Sequence, residues 1–414
     1  MNKVAQNLFQ VIYPFYPLWA FVMVQYAKFP VGKVLIFMLL PVLIYYIYNL
    51  HMRVPSYLVF YLLFTVYHLG SVYVNDLLPT TTNWFNYFFS DTNVLACILF
   101  LVIENTDFSE GFIKRMSRNM LIIIGLSTVV SIIQIKDVTF FYNIENDVND
   151  YMTFYDENRN ASIYSWYNLN SVGITFPIMI SILLSYYDFK SRPFPLIAIS
   201  GIIVPFLTRA RYVMMSTIIA FSQLLLVKTI PIKKKFAVIM AFVVVIVMIL
   251  AVSQMVGYDI NKIIDERIME KGNEMSSAKT RLLSYDVFMM KFPENPYYGV
   301  GPKTRDDVID LLGGEAQLIH VGYLSYLYFY GVIGASLLFI ALFLLLRDSW
   351  LVGRRQQFWG SFYGLLGFAI ANFTFVYFAF EEMGIVLAVM YARYYKLNAE
   401  RLNEEIQTNE VINA

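Results

Sequence analysis

The sequence predicts an all-α polytopic integral membrane protein, one transmembrane domain over 1–414 with about twelve spans. Three observations predict it. Hydrophobic residues make up 58% of the chain and aromatic residues 17%, against 15% charged, far from the balance of a soluble domain. The apolar residues fall in blocks of about 18 to 25, enough for a helix to cross a hydrocarbon core of about 30 Å, with short polar or Pro-rich breaks between them. Alternating ten-residue patterns, the mark of a membrane barrel, are absent, and a helix bundle is the other way to satisfy a backbone in lipid.

In chain order the spans are expected near 8–27, 33–50, 56–74, 84–103, 117–135, 166–187, 194–208, 211–227, 236–254, 319–346, 357–379 and 383–397. The start, with Lys3 and no small-residue cleavage pattern, reads as an uncleaved first helix. Two polar stretches interrupt the series. Asp137–Ser165 is rich in Asn, Asp and Tyr, and 255–318 is a long loop between the ninth and tenth spans. The tail, 398–414, is polar and carries no motif.

Lys and Arg in short loops resist translocation, so their distribution sets orientation. With the N-terminus cytoplasmic, the inner loops hold Arg53, Lys114, Arg115, Arg118, Lys190, Arg192, Lys228, Lys233, Lys234, Lys235, Arg347, Arg354 and Arg355. The short outer loops hold few. Both termini are then cytoplasmic, and 255–318 is extracytoplasmic. The net charge of +1 gives no pull on nucleic acid. Cys97 is the only cysteine, and His51, His68 and His320 are the only histidines, so neither a disulfide nor a Cys- or His-rich metal cage is expected. His51 lies beside Arg53 and His68 inside a span with no evident partner.

The residues that stand out chemically face the outer side in this topology. Arg209 and Arg211 sit in a break almost without loop, Phe206-Leu-Thr-Arg-Ala-Arg-Tyr-Val213, where the charge rule disfavours them, which points to an anionic partner. In the long loop, Ile260–Met269 and Ser276–Phe292 read as helices. In the second, Leu283, Val287 and Met290 form an apolar stripe, and Arg281, Tyr285 and Phe288 a neighbouring one. Pro293 and Pro296 stop that helix, and Gly299-Val-Gly301-Pro302 makes a tight turn that brings backbone N–H groups toward an anion. His320 lies where the loop re-enters the membrane, able to exchange a proton or bond a phosphate oxygen, with Glu315 just upstream. Several arginines converging at a membrane surface suit a diphosphate, because each guanidinium donates two parallel hydrogen bonds and stays charged when partly dehydrated. A diphosphate there is most simply the head of a lipid carrier.

These residues resemble the bacterial O-antigen ligase and O-antigen polymerase superfamily of membrane glycosyltransferases. Thr208-Arg-Ala-Arg211 is similar to its Thr-x-Ser-Arg turn, with Ala210 in place of Ser. Arg281 followed by Phe292-Pro-Glu-Asn-Pro-Tyr-Tyr-Gly-Val-Gly301 resembles its loop of Arg, amphipathic helix, Asn-Pro and Gly-x-Gly. His320 with Tyr323-Leu324 and Gly331-Val-Ile-Gly334 looks like its His-x-x-Tyr-Leu and Gly-x-x-Gly, with Val321 where Asn is common. The likeness covers the C-terminal half.

The resemblance implies transfer of an undecaprenyl-diphosphate-linked oligosaccharide to an acceptor glycan at the outer face of the bacterial cytoplasmic membrane. A polymerase extending another lipid-linked repeat unit is the favoured form, on the departure at Val321, and a ligase acting on lipid A core or another acceptor is the alternative. His320, Arg211 and Arg281 are the expected catalytic residues. Arg209, Tyr285, Gly299, Gly301, Tyr323 and Glu315 are expected around the substrate. His320 is either base or diphosphate ligand, and the sequence leaves both open. No Asp-x-Asp occurs in the outer loops, so no metal or other cofactor is expected. Membrane lipids, a flippase and a chain-length regulator are the implied partners. From another class, a lipid-oligosaccharide transporter shares the composition, but would show two similar halves and polar helices at mid-membrane.

Overall fold

The computed structural model describes residues 2–19, 31–49, 52–78, 83–137, 140–141, 162–164, 169–187, 189–208, 210–226, 231–233, 235–236, 240, 277–302, 319, 321–373 and 378–412. Helices follow one another as α1 (Asn2–Ile12), α2 (Val31–Asn49), α3 (Ser56–Val74), α4 (Trp84–Phe88), α5 (Thr92–Glu104), α6 (Glu110–Ile133) and α7 (Leu169–Tyr186). Then come α8 (Phe194–Thr208), α9 (Arg211–Leu226), α10 (Ser277–Lys291), α11 (Gly322–Gln356), α12 (Gly360–Ala371) and α13 (Met383–Ile412). Among the described residues there is no strand. Among the described residues three helices, α3, α6 and α11, are long and apolar enough to cross a membrane, and α2, α5, α7, α8 and α12 hold shorter apolar stretches. The chain is an integral membrane protein.

Where the helices begin and end follows local chemistry. Asp91 caps α5 by accepting from the N–H groups of Asn93 and Val94, and Ser109 caps α6 through the N–H of Phe112. Within the apolar helices, hydroxyls return to the carbonyl one turn back, as at Thr65, Thr128, Thr208 and Thr217. No polar atom of these groups is then left bare in an apolar setting.

Four expected spans differ in form, and of these the one expected at 357–379 is the shorter α12, Gly360–Ala371. The segment expected at 8–27 breaks at 13–15, where Pro14 cannot donate to the preceding turn. The segment expected at 84–103 is divided into the one-turn α4 and α5, because Asp91 takes an extended backbone and starts a new helix. The last helix runs to Ile412, through the stretch that reads as a polar tail. The span expected at 236–254 and the helix at Ile260–Met269 lie outside the described residues, Met240 apart.

One continuous apolar core joins α1–α3, α5–α9 and α11–α13. Helix α10 stands apart from it and attaches through a small cluster of its own, in which Phe288, Ile319 and Tyr328 are buried together. Helix α7 runs antiparallel to α12, with Ser181 donating to the Gly360 carbonyl and Ile178 lying against Gly364. It runs parallel to α9, since Tyr212 lies over Gly173 while Gln223 donates to Ser181. Thus α9 enters the bundle at the end where α12 finishes and α11 starts, hereafter the site end.

Candidate functional site

The site end is built around a break in α11. Gly331 has φ 61° and ψ −174°, a backbone that only glycine adopts without strain, and it interrupts an otherwise continuous 35-residue helix. An unbroken helix would send the N–H groups of Val332 and Ile333 to the carbonyls of Tyr328 and Phe329, four residues back. Here those bonds are replaced. Val332 and Ile333 donate instead to the carbonyls of Pro296 and Tyr297, at 2.8 and 3.2 Å. The freed carbonyls of Tyr328 and Phe329 accept from Val300 and Gly301, at 3.2 and 2.8 Å. The segment Pro296–Gly301 is therefore inserted into the helix, and these four backbone groups freed by the break find partners in it.

The fit needs glycine on both sides. A Cβ at Gly299 would meet the Phe329 carbonyl, and one at Gly331 would meet the Tyr297 carbonyl group. The Asn-Pro…Gly-x-Gly and Gly-x-x-Gly motifs, thirty or so residues apart, are thus two halves of one joint. Helix α3 braces it: Tyr67 donates to the Tyr298 carbonyl at 2.9 Å and lays its ring on Gly334.

This joint corrects the expected part of Gly299 and Gly301. Their N–H groups are given to the carbonyls of Asn295 and Phe329, so they shape the loop and are not turned toward an anion. Tyr323 is likewise committed, its hydroxyl donating to the Ala369 carbonyl at 2.8 Å and its ring packed against Phe373 and Phe378. Ala369 lies in the last turn of α12, where carbonyls lack helical partners, so Tyr323 ties α11 to the end of α12. The expected stripe on α10 is also shifted. Ser284, Val287 and Phe288 are buried whereas Met290 is exposed, because Ile319 and Tyr328 receive the Phe288 side. Tyr285 points outward, half exposed.

Arg211 is the first residue of α9, and its side chain is exposed. A helix start carries partial positive charge, so an anion is favoured beside a cation placed there. Its level in the bundle follows from α12. Ser216 donates to the Gly367 carbonyl at 3.2 Å, and the helices are antiparallel. Arg211 lies five residues before Ser216, about 7 Å nearer the site end at 1.5 Å per residue, hence level with Asn372. On the other flank of α12, the Asn372 carbonyl accepts from Gly322, at 3.0 Å. Arg211 and the start of α11 therefore stand at one height on two sides of α12.

Arg281 belongs to α10, two turns before Phe288 and in register with it; its side chain lies outside the described residues. Arg209, Glu315 and His320 lie outside them too, as does His51, while both neighbours of His320 are described. Ile319 is buried against α10, and Val321 opens α11. The helix that carries Arg281 and the point where His320 leaves the loop are so joined through Phe288 and Ile319.

Two polar groups at this end lie outside the set of expected site residues. Glu381 and Glu382 immediately precede α13. Glu382 is buried and accepts from Thr175 at 3.3 Å, while Thr175 also accepts from the N–H of Gly384. Thr175 is two residues from Gly173, against which Tyr212 lies, so these acids stand near the start of α9. An adjacent acid pair inside apolar sequence was the available signal. The second group is His68, which is not partnerless. Its Nε2 lies 2.8 Å from Asp91 and its Nδ1 2.8 Å from the hydroxyl of Tyr330.

Residues 196–339 match the family model described as O-antigen ligase. The match takes in the Arg211 turn, α10, the inserted segment and the Gly331 break. No curated protein matches the chain.

Proposed function

We propose, from the premise that residues 196–339 of this integral membrane protein match the O-antigen ligase family model, that this chain is a surface-polysaccharide polymerase. It transfers an undecaprenyl-diphosphate-linked oligosaccharide to the end of another lipid-linked repeat unit at the outer face of the bacterial cytoplasmic membrane, with both termini cytoplasmic. The observation that carries the reading is the placement of Arg211 at a helix start, level with the re-entry of the chain into α11. That height is where a lipid-borne anion would meet a guanidinium and the positive end of a helix dipole together.

The acceptor hydroxyl oxygen bonds to the anomeric carbon of the donor sugar as the bond to the diphosphate breaks. Arg211 and Arg281 bind the diphosphate and offset its growing charge, with Arg209 assisting. His320 either takes the acceptor proton or bonds the departing diphosphate, and Glu315 is a weaker base. Tyr285, outward on α10, is open to sugar. Gly299, Gly301 and Tyr323 serve by holding the frame. The reaction needs no metal in this reading, since the outer loops hold no Asp-x-Asp. A flippase and a chain-length regulator would act before and beside it. A ligase reading, with lipid A core or another acceptor, uses the same residues. The transporter has no support from the fold or the family match.

Purified protein with the undecaprenyl-diphosphate-linked repeat unit alone is expected to yield a ladder of longer glycans. The ladder is lost in His320→Ala and falls at least about 100-fold in Arg281→Lys, which keeps charge but loses the fork. Product formed only when lipid A core is added would make the chain a ligase. Full activity in both Arg281→Lys and Arg281→Ala would overturn the diphosphate assignment.

A further inference from the structure

We infer that His68, Asp91 and Tyr330 form a clamp of positioning residues that sets the geometry of the transferase site through the α11 break; the inference rests on the proposed transferase reading. The three come from separate elements: the middle of α3, the N-cap of α5, and the residue just before Gly331. They are 5%, 9% and 4% exposed, so little water competes for their bonds.

Every polar atom in the cluster is directed. One carboxylate oxygen of Asp91 accepts from the N–H groups of Asn93 and Val94, at 2.9 and 3.0 Å, while the other faces His68 Nε2 at 2.8 Å. A carboxylate only accepts, so Nε2 carries the hydrogen, while Nδ1 shares a hydrogen bond with the Tyr330 hydroxyl, also at 2.8 Å. The Tyr87 hydroxyl stands 3.4 Å from Nε2, on the outer rim of the cluster. Phe64 packs edge-on to the Tyr330 ring.

The consequence lies in what Tyr330 adjoins. The half-helix 322–330 leads back to His320, and the inserted segment 296–301 leads back to α10 and Arg281. Both meet at Gly331. His68 grips the helix immediately before the break, and its neighbour Tyr67 grips the inserted segment at the Tyr298 carbonyl. Two consecutive residues of α3 thus hold both partners of the joint, and α5 holds His68. Buried apolar side chains of similar volume would stabilise the contact as well or better. What the polar set adds is direction, which matters where two catalytic groups must keep a fixed separation.

The test uses the full chain in detergent, with Cys97→Ser removing the only native thiol. Spin labels at Val74→Cys and Met290→Cys, both exposed, report the distance from α3 to α10. The variants are Tyr330→Phe, which keeps the ring, and His68→Ala. A single narrow distance distribution is expected in the unmodified clamp, and a broadened or shifted one in each variant. In the transfer assay kcat is expected to fall about 10- to 100-fold with the donor KM within about twofold. The double variant should be no worse than His68→Ala, as befits two members of one chain of bonds.

Distances that hold in both variants overturn the clamp, whether or not the chain is a transferase. Distances that change while kcat does not overturn its positioning role. Absence of product from the unmodified chain counts against the transferase reading instead, and the label distances, which need no substrate, tell the two failures apart.

Discussion

Helix α5 carries a buried acid at each end, and the two are held in different ways. Asp91 stands at the N-terminus, where the helix dipole favours negative charge, and three N–H donors meet it at 2.8 to 3.0 Å. Glu104 is the last residue, where the dipole opposes it. It accepts from the Tyr57 hydroxyl at 2.9 Å. Arg393 lies near, but its Nε is 3.8 Å from the carboxylate, an ion-pair distance with no hydrogen bond. The site end therefore has a directional cluster and the opposite end a cluster held by neutralisation. The first fixes positions; the second tolerates them.

Removing the cation at the tolerant end should have the largest effect on stability. Arg393→Ala leaves Glu104 buried without its counter-charge, and a broken buried pair costs about 3–5 kcal/mol. Heating in detergent, followed by size-exclusion analysis, should show a much lower temperature for loss of the monodisperse species. Transfer per folded molecule should stay near that of the unmodified chain. Glu104→Gln in the same background should recover most of the loss; failure to recover would mean that Arg393 acts by packing and not by charge.

At the directional end the order reverses. Asn caps a helix about as well as Asp, so Asp91→Asn should cost under about 1 kcal/mol in the same heating assay. Its kcat should nonetheless fall about tenfold, because an amide in place of the carboxylate weakens the charge-assisted bond that orients His68. If Asp91→Asn lowers stability and leaves kcat alone, the two ends of α5 do not differ in kind.

How much of this was legible beforehand depends on the reach of each signal. Local signals carried well: the helix expected at Ser276–Phe292 is Ser277–Lys291, stopped by Pro293 as the spacing predicts. The family motifs were visible as short words, and residues 196–339 match as expected. What the glycines do was not visible, since Gly299 and Gly331 explain each other only when the inserted segment meets the broken helix. The buried side of α10 was misjudged for a like reason, because Ile319 and Tyr328 select it from elsewhere in the chain. His68 looked partnerless because its partners lie 23 and 262 residues away. Periodicity reports which side of a helix is apolar, and says nothing of which distant hydroxyl completes a buried imidazole.

The smallest and most discriminating change is a matched pair of deletions. Tyr57→Phe and Tyr330→Phe each remove one phenolic hydroxyl from a buried cluster and leave the ring in place. Tyr57 donates to Glu104 at 2.9 Å, and Tyr330 bonds His68 at 2.8 Å. A single lost hydrogen bond is worth about 1 kcal/mol in either setting, so the two variants should unfold at similar, slightly lowered temperatures. Their kinetics should part. Tyr57→Phe should keep the kcat and donor KM of the unmodified chain, since the Glu104 cluster touches no joint. Tyr330→Phe should lose kcat, since its hydroxyl ends one residue before the break that relates Arg281 to His320. Equal kinetics in the pair would reduce both clusters to plain structural contacts. A kinetic loss confined to Tyr330→Phe, at matched stability, separates orientation from stability with the same chemical change made twice.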